Sequence, residues 1–223
     1  MTRGGTIAVI ADDLSGAAEM AALAAAAGRR AEVHTRPGLR SSADVVCLDT
    51  DSRGLPPDDA ALRAGEAAAS ARRHGILRFF KKTDSVLRGN VLSEIYGLLF
   101  ALDFRRSLFI PANPSRGRTI RGGRYFVGGV PLDRTAFADD PEHPARTADV
   151  AALLGGGAAV TLIGPEGPLP DVGLAVPDAA TPADLARRAA QIDDDTLPAG
   201  AADFFAALLA GPWSKGPAGE APP

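Results

Sequence analysis

Ten consecutive residues, Lys81-Lys82-Thr83-Asp84-Ser85-Val86-Leu87-Arg88-Gly89-Asn90, gather two lysines, an arginine, a carboxylate, hydroxyls and an amide. Cations at this density suit a carboxylate or a phosphate, Arg88 as a planar fork and Lys82 as a point charge. Asp84, Ser85 and Asn90 suit hydroxyl groups. Together they describe a site for a small, anionic, hydroxylated molecule. The competing reading is a capped helix carrying a solvated charge run, and the segment alone does not choose between them.

Two more polar clusters have the same character. Asp12-Asp13-Leu14-Ser15-Gly16 places paired carboxylates at a turn, where they could take a proton from a hydroxyl or bind a hydroxyl pair. Helix capping is the alternative, although the strict capping box fails because position 18 is Ala and Glu19 comes one residue late. Asp49-Thr50-Asp51-Ser52-Arg53 reads equally well as a ligand loop or as Asx-type turns. Farther on, Gly117-Arg118-Thr119-Ile120-Arg121-Gly122-Gly123-Arg124 could cradle an anion with backbone N–H groups and guanidinium forks. No Walker A loop occurs, and Gly155-Gly156-Gly157 lacks nucleotide-loop spacing and reads as a helix stop. His34, His74 and His143 show no metal-ligand spacing, so no metal site is expected. His143, between prolines in an acidic loop, is the one histidine that reads as a site candidate. No nucleophile elbow of the Gly-x-Ser-x-Gly kind is present.

These clusters need strands to deliver them. Apolar runs at 7–11, 31–35, 44–49, 76–80 and 107–110 read as strands, with later ones at 158–163 and 172–176. Helices are expected at about 17–27, 57–74, 91–102 and 203–210, and a short one ending near Leu154. Thr181 and Pro182 read as the N-cap and first residue of a further helix. Strands alternating with helices imply an α/β fold, a layered parallel sheet flanked by helices. In such sheets ligands bind beyond the carboxyl ends of the strands, where all three polar clusters fall. Tyr125-Phe126-Val127 and Val130-Pro131-Leu132 flank Gly128-Gly129, an inserted β-hairpin near 125–132.

The chain has 223 residues, 46% of them apolar, enough to bury one substantial core. Its formal net charge of −3 favours neither nucleic acid nor an anionic membrane. No apolar run reaches the ~18 residues of a membrane span. Cys47 is the single cysteine, which excludes an intramolecular disulfide framework and fits a cytoplasmic protein. Residues 211–223, rich in Gly and Pro, are expected to be a disordered tail.

Taken in order, the motifs resemble the four-carbon acid sugar kinase family. The resemblance is carried by residues 11–17, 49–53 and 81–90 with Glu94, by Pro111-Ala112-Asn113-Pro114 with Gly117 and Arg118, by residues 127–132, and by Asp140-Pro141 with Pro144. It covers residues 7 to about 154, and more loosely to 210. It implies a sugar-acid-binding N-terminal domain over residues 1–210 and phosphorylation of a tetronate-type acid at its terminal hydroxyl. ATP and Mg²⁺ are implied for the complete enzyme and none for this chain alone, because the C-terminal nucleotide-binding domain is expected to be absent. Carried over, Arg88 and Lys82 would clamp the substrate carboxylate. Asp12, Asp13 and Asp84 would bind hydroxyls, one of them as the base. Asn113, Gly117 and Arg118 would form the far wall. Ser15, Asp51, Ser52, Arg53, Ser85, Gly89 and Asn90 complete the implied site. Ser15 replaces the usual Thr, and Glu19 stands near a position often held by Asp or Asn. A separate nucleotide-binding domain or a second copy is the implied partner. A stand-alone sugar-acid-binding module and a generic flavodoxin-like phosphate or nucleotide domain are the other readings.

Overall fold

The computed structural model describes residues 5–36, 41–155 and 159–214. Strand β1 (Ile7–Ala11) is an unbroken apolar run with every residue buried, as expected of a strand covered on both faces. Around it lie β2 (Ala31–His34), β3 (Val45–Asp49), β4 (Arg78–Lys82), β5 (Arg106–Ile110), β9 (Val160–Ile163), β10 (Gly173–Pro177) and β11 (Thr196–Gly200). They form one sheet in the order β2-β3-β1-β4-β11-β5-β10-β9, every pair parallel. The chain moves one way from β1 to β2 and the other way from β3 to β4, so the sheet reverses direction at β1. Right-handed crossovers then put α1 (Leu14–Ala26) and α5 (Pro182–Ala189) on one face, and α2 (Pro57–Arg73) and α3 (Val91–Leu102) on the other. Helix α6 (Ala202–Ala210) packs between α1 and α5, while α4 (Val150–Leu153) is a single turn near β9.

Small residues set the helix spacing. On the α2–α3 side, a Cβ built on Gly97 would lie 2.4 Å from the Ala61 carbonyl oxygen, so the two backbones touch there. On the other side Phe80 stacks at 6.2 Å from Phe204 and 5.0 Å from Phe205, and Trp213 closes against Phe205 at 6.5 Å. Residues 211–214 form a turn that buries Trp213, whose N–H donates to the Leu208 carbonyl. The rest of the expected tail lies outside the described residues, as do Gly156 and Gly157; Gly155 ends α4 with a positive φ.

The fold agrees with the layered parallel sheet, and α3 falls where its apolar run places it. Three elements differ. β4 begins two residues late, because Ile76 is still bonded back to Ala71 at the end of α2. Lys81 and Lys82 therefore lie within a central strand rather than in the loop after it. β11, in the middle of the sheet, was not expected: Thr196-Leu197-Pro198-Ala199-Gly200 contains a proline, which counts against a central strand. Its ladder to β4 begins only at Ala199, after the residue that lacks an N–H, while β5 pairs with all five residues. The inserted hairpin is present, with β7 (Arg124–Val127) and β8 (Val130–Pro131) joined by Gly128 and Gly129 at φ 58° and 81°, as a two-residue I′ turn requires. A further strand, β6 (Arg118–Arg121), pairs with β7 and makes this a three-stranded antiparallel sheet.

Candidate functional site

The carboxyl ends of β1, β3 and β4 converge, and the polar clusters meet there. Asp12 leaves β1 directly and is buried. Asp13 caps α1 through an acceptor contact with Gly16 N–H at 2.8 Å. Arg53, forty-one residues from Asp12, donates from Nε to its Oδ2 at 2.7 Å. The same guanidinium holds Asp13 Oδ2 at 2.9 Å. Burial opposes the charge on Arg53, but the two aspartates outweigh it and raise its pKa. Gly89 makes this possible by leaving room: a Cβ there would sit 2.9 Å from Arg53 Cγ, and the φ of +82° suits glycine.

After β4 the chain turns around Asp84. Its Oδ1 accepts the N–H groups of Val86 (3.0 Å) and Arg88 (3.2 Å), while the Arg88 guanidinium grips both oxygens at 3.1 and 2.9 Å. Burial pushes the Asp84 carboxyl up, but these contacts prevail and hold it below the ordinary range. Leu87, at φ +68°, is the strained residue of the turn, and its side chain is buried. Arg88 Nη1 also lies 3.4 Å from Asp140 Oδ2. Asp140 in turn is held by the backbone N–H groups of His143 and Glu142, which keep its carboxyl low. Ser85 receives Arg118 on its hydroxyl and the buried Tyr125 hydroxyl on its carbonyl. Tyr125 comes from β7, so the antiparallel sheet closes against the loop that follows β4.

Several other expected residues are already paired within the fold. Lys82 is only 4% exposed; its Nζ donates to the Thr83 carbonyl at 2.9 Å and lies 3.4 Å from Glu19, which also binds Arg116. Lys82 and Arg88 are thus paired with different carboxylates. Ser52 is fully buried, and Asn90 spends its amide on the carbonyls of Ser52, Arg53 and Leu55. Asn113 accepts the Asp203 N–H at the start of α6, and Gly117 ends a short 3-10 turn at φ +67°. Ser15 is exposed in the first turn of α1. Asp51, at φ +46°, lines a separate cavity of about 690 Å³ between β2, β3 and α2.

Among the described residues, two buried polar atoms at the ends of β1 and β4, Asp12 Oδ1 and Thr83 Oγ1, have no hydrogen-bond partner. Ala11 pairs with Lys82 across β1 and β4, so Asp12 and Thr83 stand one register step beyond the ladder on adjacent strands. Thr83, Tyr125 and Glu19 were not among the expected site residues. The run of strand-end residues pointed to Thr83, but nothing local marked Tyr125, forty residues from Ser85. Among the described residues no cluster of His, Cys, Asp and Glu is placed to hold a metal.

Residues 7–208 match the family model described as "Sugar-binding N-terminal domain". The chain belongs to this family. Among curated relatives, the domain is 35% identical over 151 residues to a D-threonate kinase of Salmonella typhimurium, covering 65% of this chain and 36% of that one. With a D-threonate kinase of Bordetella bronchiseptica it shares 32% identity over 193 residues, covering 82% and 44%. A D-erythronate kinase of Heliobacterium modesticaldum is 33% identical over 66% of the domain and 35% of its own length. A crystal structure of a domain of unknown function (DUF1537) from Bordetella bronchiseptica, a domain-swapped dimer with bound citrate, superposes with a TM-score of 0.78 at 28% identity, covering 91% of this chain and 55% of that one. A Haemophilus influenzae protein of the same family gives 0.80 at 25% identity, again over 91% and 55%. The chain therefore spans under half the length of these curated relatives, and its similarity is to the N-terminal, sugar-binding portion of four-carbon acid sugar kinases.

Proposed function

We propose that the domain binds a four-carbon sugar acid at the ends of β1 and β4 and presents its terminal hydroxyl for phosphorylation by ATP. The observation that carries this reading is the pair of orphaned polar atoms. A buried group without a partner costs on the order of 1–3 kcal/mol, and a hydroxylated ligand would satisfy both Asp12 Oδ1 and Thr83 Oγ1. With Arg53 on its other oxygen, Asp12 is oriented to accept a hydroxyl hydrogen bond and then the proton released as that hydroxyl attacks. Asp13 has its two oxygens on the α1 N-terminus and Arg53, and Asp84 is spent on Arg88, so Asp12 is the base. Arg88 receives the ligand carboxylate, exchanging its looser contact with Asp140 for it.

ATP brings the transferred phosphoryl group, and Mg²⁺ neutralises its charge. The carboxylates of this site do not fit Mg²⁺, since Asp12, Asp13 and Asp84 each face a guanidinium. The nucleotide and its metal belong to a second domain, of the kind that would complete the length of the relatives. For this domain taken by itself, water screens the charges of the site, so affinity for the acid is about millimolar.

Calorimetric titration with D-threonate and D-erythronate tests this. Binding by the wild type, lost in Asp12→Asn and insensitive to ATP and Mg²⁺, is expected. Unchanged binding by Asp12→Asn would remove the central role given to that residue. Phosphoryl transfer by the isolated chain would place a nucleotide site within it and refute the two-domain division.

A further inference from the structure

Lys81 and Glu94 form an ion pair in the interior, each side chain 1% exposed. Lys81 Nζ lies 2.5 Å from Glu94 Oε2 and donates a hydrogen bond to the Lys82 carbonyl at 2.8 Å. The other Glu94 oxygen accepts the Ser52 hydroxyl at 2.9 Å across forty-two residues. Ser52 Oγ in turn lies 2.7 Å from Thr50 Oγ1. The Thr50 hydroxyl also donates to the Ala11 carbonyl at 2.8 Å, the same oxygen that takes the Thr50 N–H at 2.9 Å, so this end of the chain of contacts is tied to the end of β1. A relay thus runs from β4 through α3 into the loop that follows β3.

Folding energetics alone do not account for this pair, because burying two charges is often no better than burying apolar side chains of equal volume. Its position suggests another use. Ser52 immediately precedes Arg53. Asn90 ties down the carbonyls on both sides of Arg53, and Gly89 leaves a lane for the Arg53 stem. With its backbone anchored on two sides, Arg53 has its guanidinium directed onto Asp12 and Asp13.

We propose that Glu94 is a positioning residue, with Lys81 as its buried counter-ion. Through Ser52 it anchors the β3 loop, so that Arg53 occupies one oxygen of Asp12 and leaves the other unpaired. The inference rests on the reading of Asp12 as the hydroxyl acceptor.

Hydrogen exchange at the Arg53 Nε–H, followed by NMR and assigned with Arg53→Lys, reads the anchor directly. Ser52→Ala cuts only the link. Lys81→Met/Glu94→Leu removes both charges and the acceptor at similar volume, whereas Lys81→Met/Glu94→Gln keeps an oxygen for Ser52. Arg53 is expected to exchange about tenfold faster in the first two proteins, the scale of one lost buried hydrogen bond. It should stay near wild type in the third, and D-threonate affinity should fall in parallel with protection. Wild-type exchange in folded Ser52→Ala, or in the folded Leu variant, would overturn the proposal. If the wild type bound no tetronate while Arg53 still responded as expected, the anchor would stand and the functional reading would fall.

Discussion

Asp84 shows burial and pairing competing at one carboxylate. Desolvation favours its protonated form, but the bidentate Arg88 contact and two backbone N–H groups favour the charge more strongly. The folded pKa is therefore depressed below the unfolded value of about 3.9. Its contribution to stability is present above that value and is lost as pH falls through the lower folded one. An NMR titration should find Asp84 ionising below the ordinary aspartate range, and Arg88→Ala should move that midpoint upward. An unmoved midpoint would mean that the pair does not form in solution. The types of these residues were legible in the sequence, since cations and carboxylates crowd the strand ends. Their assignments were not, because Lys82 and Arg88 look alike in a string but are held by Glu19 in one case and Asp84 in the other.

Between elements, contact at glycine decides how the helices lie on the sheet. Gly97 of α3 has ordinary helical geometry, so its requirement is for space: an added Cβ would meet the Ala61 carbonyl oxygen at 2.4 Å and its carbon at 2.9 Å. Gly97→Ala should separate α2 from α3 and cost about 1–3 kcal/mol, as overpacking does, measured by urea unfolding at constant m-value. A neutral result would show that the two helices slide apart freely. Because α3 carries Glu94, the same substitution should also disturb the β3 loop. Helix α3 was readable from its apolar run, and the hairpin from Gly128-Gly129. β11 was not, because Pro198 counts against a central strand and only the pairing with β5 and β4 makes it one.

For the whole molecule, Cys47 offers a clean report on folding. It is buried in β3, and desolvation pushes its thiol pKa up to about 12. A disulfide reagent at pH 8 should label it only at the rate of opening of the sheet, and added tetronate should slow that labelling if ligand binds the folded state. Rapid labelling of the native protein would contradict the closed core. Among the described residues no helix is long and apolar enough to cross a membrane. The sequence by itself determined the alternation of strands and helices and the polar punctuation after β1, β3 and β4. Both depend on local signals, namely apolar period, turn glycines and caps, that act within a few residues. Only the tertiary structure decided which of those polar groups are spent and which are free. Arg53 meets Asp12 across forty-one residues and Ser52 meets Glu94 across forty-two, and partners at such separation are chosen by strand order and packing. The unpaired oxygen of Asp12 is what remains when those long-range contacts are complete.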